Sequence, residues 1–124
     1  MSWKDDVVSE LGVSMGMEQL DFGESNVLSL TFEESGTLHM ENQDEGVLLY
    51  LFQKIPAHDQ LILLMRALKQ CHYQVSQRFL LQTGLNEDDE LFFCVFLDNE
   101  DFSRPHVEST IQYLMDQFRL LLAD

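Results

Sequence analysis

The sequence predicts an α+β fold: one antiparallel sheet with packed helices, in the order α-β-β-β-α-β-β-α. Three observations carry that prediction. Residues 47–52 (VLLYLF) and 91–97 (LFFCVFL) are apolar at every position, the pattern of strands covered on both faces. Residues 27–33 alternate, with Leu28, Leu30 and Phe32 facing one way and Val27, Ser29, Thr31 and Glu33 the other. Two further stretches keep helical spacing: Leu61, Leu64, Met65 and Leu68, and then Val107, Ile111, Leu114, Phe118 and Leu121. With 124 residues there is material for one core, so 1–124 is read as a single domain.

The first helix is predicted from Ser2, an N-cap with Asp5 three residues on, to a stop at Gly12. Trp3, Val7, Val8 and Leu11 share one of its faces. Residues 13–26 read as irregular, with Met15, Met17, Leu20 and Phe22 covering a sheet edge or, as methionines also do, forming an adaptable binding surface. Residues 34–36 turn the first strand into a second over 37–41, where Leu38 and Met40 oppose Thr37, His39 and Glu41. A longer turn over 42–46 leads into the third strand, which gives a meander.

Ile55-Pro56 ends that strand, because Pro56 cannot donate to a ladder and suits the first turn of the helix that follows. Ile62, Leu63 and Ala67 widen the stripe of this second helix until little of it is polar. Residues 79–82 are expected to form a short strand that ends before Thr83-Gly84, and 86–90 an acidic loop. The run 91–97 belongs centrally, beside the third strand or close to it. Ser103 caps the last helix, with Pro105 in its first turn.

Charge is the outlier of the composition: 22 acidic against 7 basic residues, net −15. Such a field repels nucleic acid and anionic membrane, so neither is an expected partner, and no stretch is long and apolar enough for stable membrane insertion. Cys71 and Cys94 sit in apolar surroundings and read as reduced core cysteines. The start of the chain lacks an apolar signal core, so the protein is expected to work in the compartment where it is made.

The sequence carries no catalytic motif and no metal-ligand spacing. His39, His58, His72 and His106 have no paired ligand spacing, and His58-Asp59 reads as a capping or surface pair. Neither cysteine has an electropositive neighbourhood, no serine lies in G-x-S-x-G, and no lysine follows Gly12 and Gly16 as a phosphate loop requires. No cofactor is expected. Apolar surface beyond the needs of one core remains, chiefly on the second helix. It implies a dimer through that helix or the strand after it, the alternative being a monomer whose core absorbs these residues. Surface near the first helix and first three strands is then free for an extended or helical client.

Met1-Ser2-Trp3, Ser35-Gly36-Thr37-Leu38 before and into the second strand, Ala67-Leu68, and Phe96-Leu97-Asp98 form a colinear set over nearly the whole chain. With the element order, size and acidity, they resemble the class I chaperones of bacterial type III secretion, and within them the SycN-like chaperones. The resemblance implies a cytoplasmic dimer that hydrolyses no nucleotide. It would hold the N-terminal segment of a secreted gatekeeper or effector protein in export-competent form. SycN-like members are similar to one half of a heterodimer whose other half is a YscB-like chaperone; self-pairing as a homodimeric effector chaperone is the alternative. The family's dimer contact maps to Leu61, Leu64, Met65, Leu68, Phe79 and Leu81. Its client path points to Trp3, Val7, Leu28, Leu30, Leu38 and Met40. A non-export adaptor of similar fold, binding a folded partner, is the reading from another class.

Overall fold

The computed structural model describes residues 3–17, 20–72 and 80–123. Helix α1 (Trp3–Ser14) is followed by strands β1 (Val27–Phe32), β2 (Gly36–Asn42) and β3 (Gly46–Lys54). Helix α2 (Gln60–His72), strands β4 (Leu81–Leu85) and β5 (Glu90–Asp98), and helix α3 (Arg104–Leu122) complete the order that the sequence predicts. The five strands form one sheet in the order β1-β2-β3-β5-β4, and every neighbouring pair is antiparallel. The run 91–97 therefore lies where expected, hydrogen-bonded to β3 from Leu97 opposite Val47 to Leu91 opposite Gln53.

One face of the sheet and the inner sides of the helices make the core. Leu38 and Met40 of β2, Val47, Leu49 and Leu51 of β3, and Leu91, Phe93 and Val95 of β5 are buried there. All five residues of the predicted α3 stripe join them, and Phe118 packs edge-on to Phe93 at 4.9 Å between centroids. Helix α3 starts as expected: Ser103 Oγ accepts from His106 N, and Pro105 occupies the first turn, where its missing N–H leaves nothing unpaired.

Several expectations need correction. The third strand is not covered on both faces. Its burial alternates, and Leu48, Tyr50 and Phe52 are half-buried on the helix-free face. They escape water by packing on one another and on β5: Tyr50 and Phe52 lie 5.6 and 5.5 Å from Phe92, and His39 lies edge-on to Phe52 at 5.0 Å. The helix stop is Gly16, not Gly12. Met17 N donates to Gly12 O and Gly16 N to Val13 O, with Gly16 at φ 79°, which is a Schellman closure needing a left-handed residue. Gly12 stays helical and buried against Leu20.

Pro56 caps a 3-10 turn (Ala57–Asp59) before α2 rather than entering the α-helix itself. The fourth strand runs through Thr83 and Gly84, beyond the end expected at Gln82. Gly84 lies under the Phe92 ring, where a Cβ would come within 2.9 Å of it. Ser2, and residues 73–79 with the start of the predicted short strand, lie outside the described residues.

Candidate functional site: an apolar helix face and a groove beside the first helix

Helix α2 has two apolar sides. Leu63 and Ala67 are buried against the sheet, while Leu61, Ile62, Met65 and Leu68 are 71, 56, 53 and 50% exposed. Pointing outward, these four form one strip, because residues three, four and seven apart share a helix face. Leu80, just before β4, is 72% exposed as well. Of the residues mapped to a dimer contact, Leu61, Met65 and Leu68 lie on the strip. Leu64 is partly buried against the core, and Leu81 is buried beneath α2 at the β4–β5 pairing. Phe79 lies outside the described residues. Ile62, which the sequence suggests only as widening the stripe, also lies on the strip.

The residues mapped to a client path divide differently. Trp3 is half exposed, edge-on to Phe102 at 6.0 Å, and Val7 is partly buried on the flank of α1. Leu28 and Leu30 are buried, and Leu38 and Met40 have no exposed surface at all. Their alternation aims them at the helices, so in this conformation these four are core and present nothing to a client.

Beside them lies a cleft of about 290 Å³ lined by Leu11, Met15, Phe32, Ile111 and Met115, between α1, the end of β1 and α3. Met115 joins it to a second, of about 450 Å³, reaching Glu34, Phe118 and Leu122. Neither cleft was legible in the sequence, since its lining comes from three separated elements.

Polar groups fix the other end of α1, away from the clefts. Lys4 is buried, and its Nζ donates to Asn42 Oδ1 at 2.8 Å and Gln43 O at 2.7 Å. Burial lowers its pKa, and the Asp44 charge partly opposes that. Asp5 Oδ1 accepts from Phe22 N, which tucks Phe22 beneath the same end. Burial pushes the thiols of Cys71 and Cys94 up to about 11, so neither is a nucleophile at neutral pH. His58 and Asp59 are a surface pair, 3.5 Å apart. Among the described residues no group of His, Cys, Asp and Glu is placed to hold a metal ion, and no helix is long and apolar enough to cross a membrane.

The α-β-β-β-α-β-β-α order around one five-stranded antiparallel sheet is the fold of the type III secretion chaperones. The family described as type III secretory system chaperone SycN matches residues 3–120, and the chain belongs to that family.

Solved structures agree on the fold. A chain of the Yersinia pestis type III secretion chaperone SycH complex with a stable fragment of YscM2 is similar with a TM-score of 0.72 and 17% identity, covering 95% of this chain and 98% of that one. For a chain of the HopA1–SchA chaperone–effector complex the values are 0.70 and 19%, over 92% and 88%. For one of the heterodimeric ExoU–SpcU complex from the Pseudomonas aeruginosa type III secretion system they are 0.66 and 16%, over 92% and 94%. No curated protein sequence matches the chain.

Proposed function

We propose that this protein is a SycN-like chaperone acting in the bacterial cytoplasm. It binds the N-terminal segment of a secreted gatekeeper or effector and keeps it export-competent, as half of a heterodimer with a YscB-like chaperone. The observation that carries this reading is the outward strip Leu61, Ile62, Met65 and Leu68 on a fold whose solved relatives include chaperone–effector complexes. A soluble chain gains by covering such a strip, at roughly 25 cal/mol for each Å² of apolar surface removed from water.

The client lies along the flank of α1, by Trp3 and Val7, and in the cleft of Leu11, Met15 and Phe32. Leu28, Leu30, Leu38 and Met40 support that surface from below. The free side of edge strand β1 offers main-chain groups to an added strand. Holding needs no covalent step.

Mass by light scattering tests the reading, on the chain alone and co-expressed with a YscB-like chaperone and the client segment. A ternary complex is expected. It is lost in the Met65→Asp/Leu68→Asp variant, which keeps Leu63 and Ala67 and so keeps the domain folded. A homodimer indifferent to the second chaperone makes the protein a single-client chaperone. Binding to a folded partner domain, with none to the isolated segment, makes it an adaptor instead.

A further inference from the structure

We propose that the α2 face selects a partner chain carrying carboxylates, and so prefers a different chain to a second copy of this one. The inference rests on α2 being the assembly face, as proposed above. Between Asp59 and Glu87 the sequence holds no Asp or Glu, although 22 acidic residues occupy the rest of the chain. The same stretch holds Arg66, Lys69 and Arg78, three of the seven basic residues, so α2 is a cationic element of an acidic protein.

Helix geometry places two of these charges on the apolar strip. Lys69 follows Met65 by four residues and Ile62 by seven, so it rises from the middle of the exposed face. Arg66 follows Ile62 by four, at the flank. Both are exposed, and neither has an ion-pair partner among the described residues. Arg104 and Arg119 of α3 contrast with them, each holding a carboxylate of its own helix at 2.7 Å.

A two-fold contact presents the same patch from both sides. Pairing α2 with α2 of a second copy sets Arg66 and Lys69 of each against those of the other. The carboxylate nearest along the chain is Asp59, one per copy and already beside His58, so the α2 segments themselves stay net positive when joined. A partner strip that is apolar and flanked by Asp or Glu covers the same leucines and answers both cations. Like charges brought together at an interface are penalised and opposite ones guide the choice of partner.

The chain itself can serve as the probe. Wild type and the Arg66→Glu/Lys69→Glu variant, differently tagged, are mixed and counted by native mass spectrometry. The mixed pair is expected to exceed the statistical share at low salt, by roughly fivefold over either matched pair, and the excess should fade as salt screens the charges. Net charge contributes little to this outcome, because the repulsion within a mixed pair lies close to the mean of the two matched pairs. A mixed share at or below the statistical one, or an excess indifferent to salt, overturns the proposal. The Met65→Asp/Leu68→Asp variant separates the two levels. If it assembles as before, α2 is not the face and both readings fall; if it stays monomeric while mixing is statistical, the charge selection alone is wrong.

Discussion

At the scale of single residues, Lys4 occupies a position where α1 would be expected to bury an apolar side chain. It shares the inner face with Val8 and Leu11, at spacings of four and three, and its ammonium is drawn in by Asn42 Oδ1 and Gln43 O. Asn42 in turn donates to Asn26 Oδ1, so one chain of polar contacts ties α1 to the ends of β1 and β2. Lys4→Ala removes the donor and leaves Asn42 Oδ1 and Gln43 O seeking another. The expected loss is about 1–3 kcal/mol in urea unfolding, with faster hydrogen exchange in the α1 amides. Unchanged α1 exchange would mean the ammonium does not hold the helix.

Gly16 gives a cleaner test of backbone strain. Nothing lies within 4 Å of a Cβ placed there, yet φ is 79°, so Gly16→Ala should cost about 1 kcal/mol through conformation alone. Cys94 supplies the pH dependence. Its thiol titrates near 11 in the folded chain against 9.0 without burial, so above 9.0 the unfolded state loses the proton first. Stability should fall as pH rises from 9 to about 11, and the Cys94→Val variant should show less of that fall in urea melts.

At the scale of elements, α2 shows how far the sequence could be read. The periodic stripe Leu61, Leu64, Met65 and Leu68 was legible, and so was the excess of apolar surface, but the side facing the core was not. The strongest stripe points mostly outward, and the sheet is met by Leu63 and Ala67, a lesser pair. Hydropathy alone cannot separate a side packed on its own sheet from a side kept for another chain.

The same ambiguity governs β3 and β5. Their unbroken apolar runs were read as double cover, whereas the second face is a shallow aromatic layer whose rings shelter one another. Strand β4 was obscured by Thr83-Gly84, a turn signature that register overrides: Gly84 lies opposite Phe92 because the ring occupies the space of a side chain. Gly84→Ala should push Phe92 off Phe52 and Tyr50 and lower stability by about 1–2 kcal/mol. Near-ultraviolet circular dichroism would register the disturbed rings, and an unaltered spectrum would argue that the edge strand yields instead.

At the scale of the whole molecule, acidity and stickiness are kept apart in the sequence and act against each other in solution. A net charge of −15 holds copies at a distance while the α2 strip favours their contact. The balance is set by carboxylates, few of which meet a cation at ion-pair distance among the described residues, so acid removes the repulsion without first breaking the core. Light scattering should therefore rise as pH falls towards 4.3, where the net charge vanishes. Far-ultraviolet circular dichroism should still report folded protein at the onset. The Met65→Asp/Leu68→Asp variant should scatter much less at its own isoelectric point, because removing charge leaves it no strip to join. Equal scattering by the two proteins would move the adhesive surface from α2 to the aromatic face around Tyr50, Phe92 and Phe96, and the assembly contact would have to be sought there.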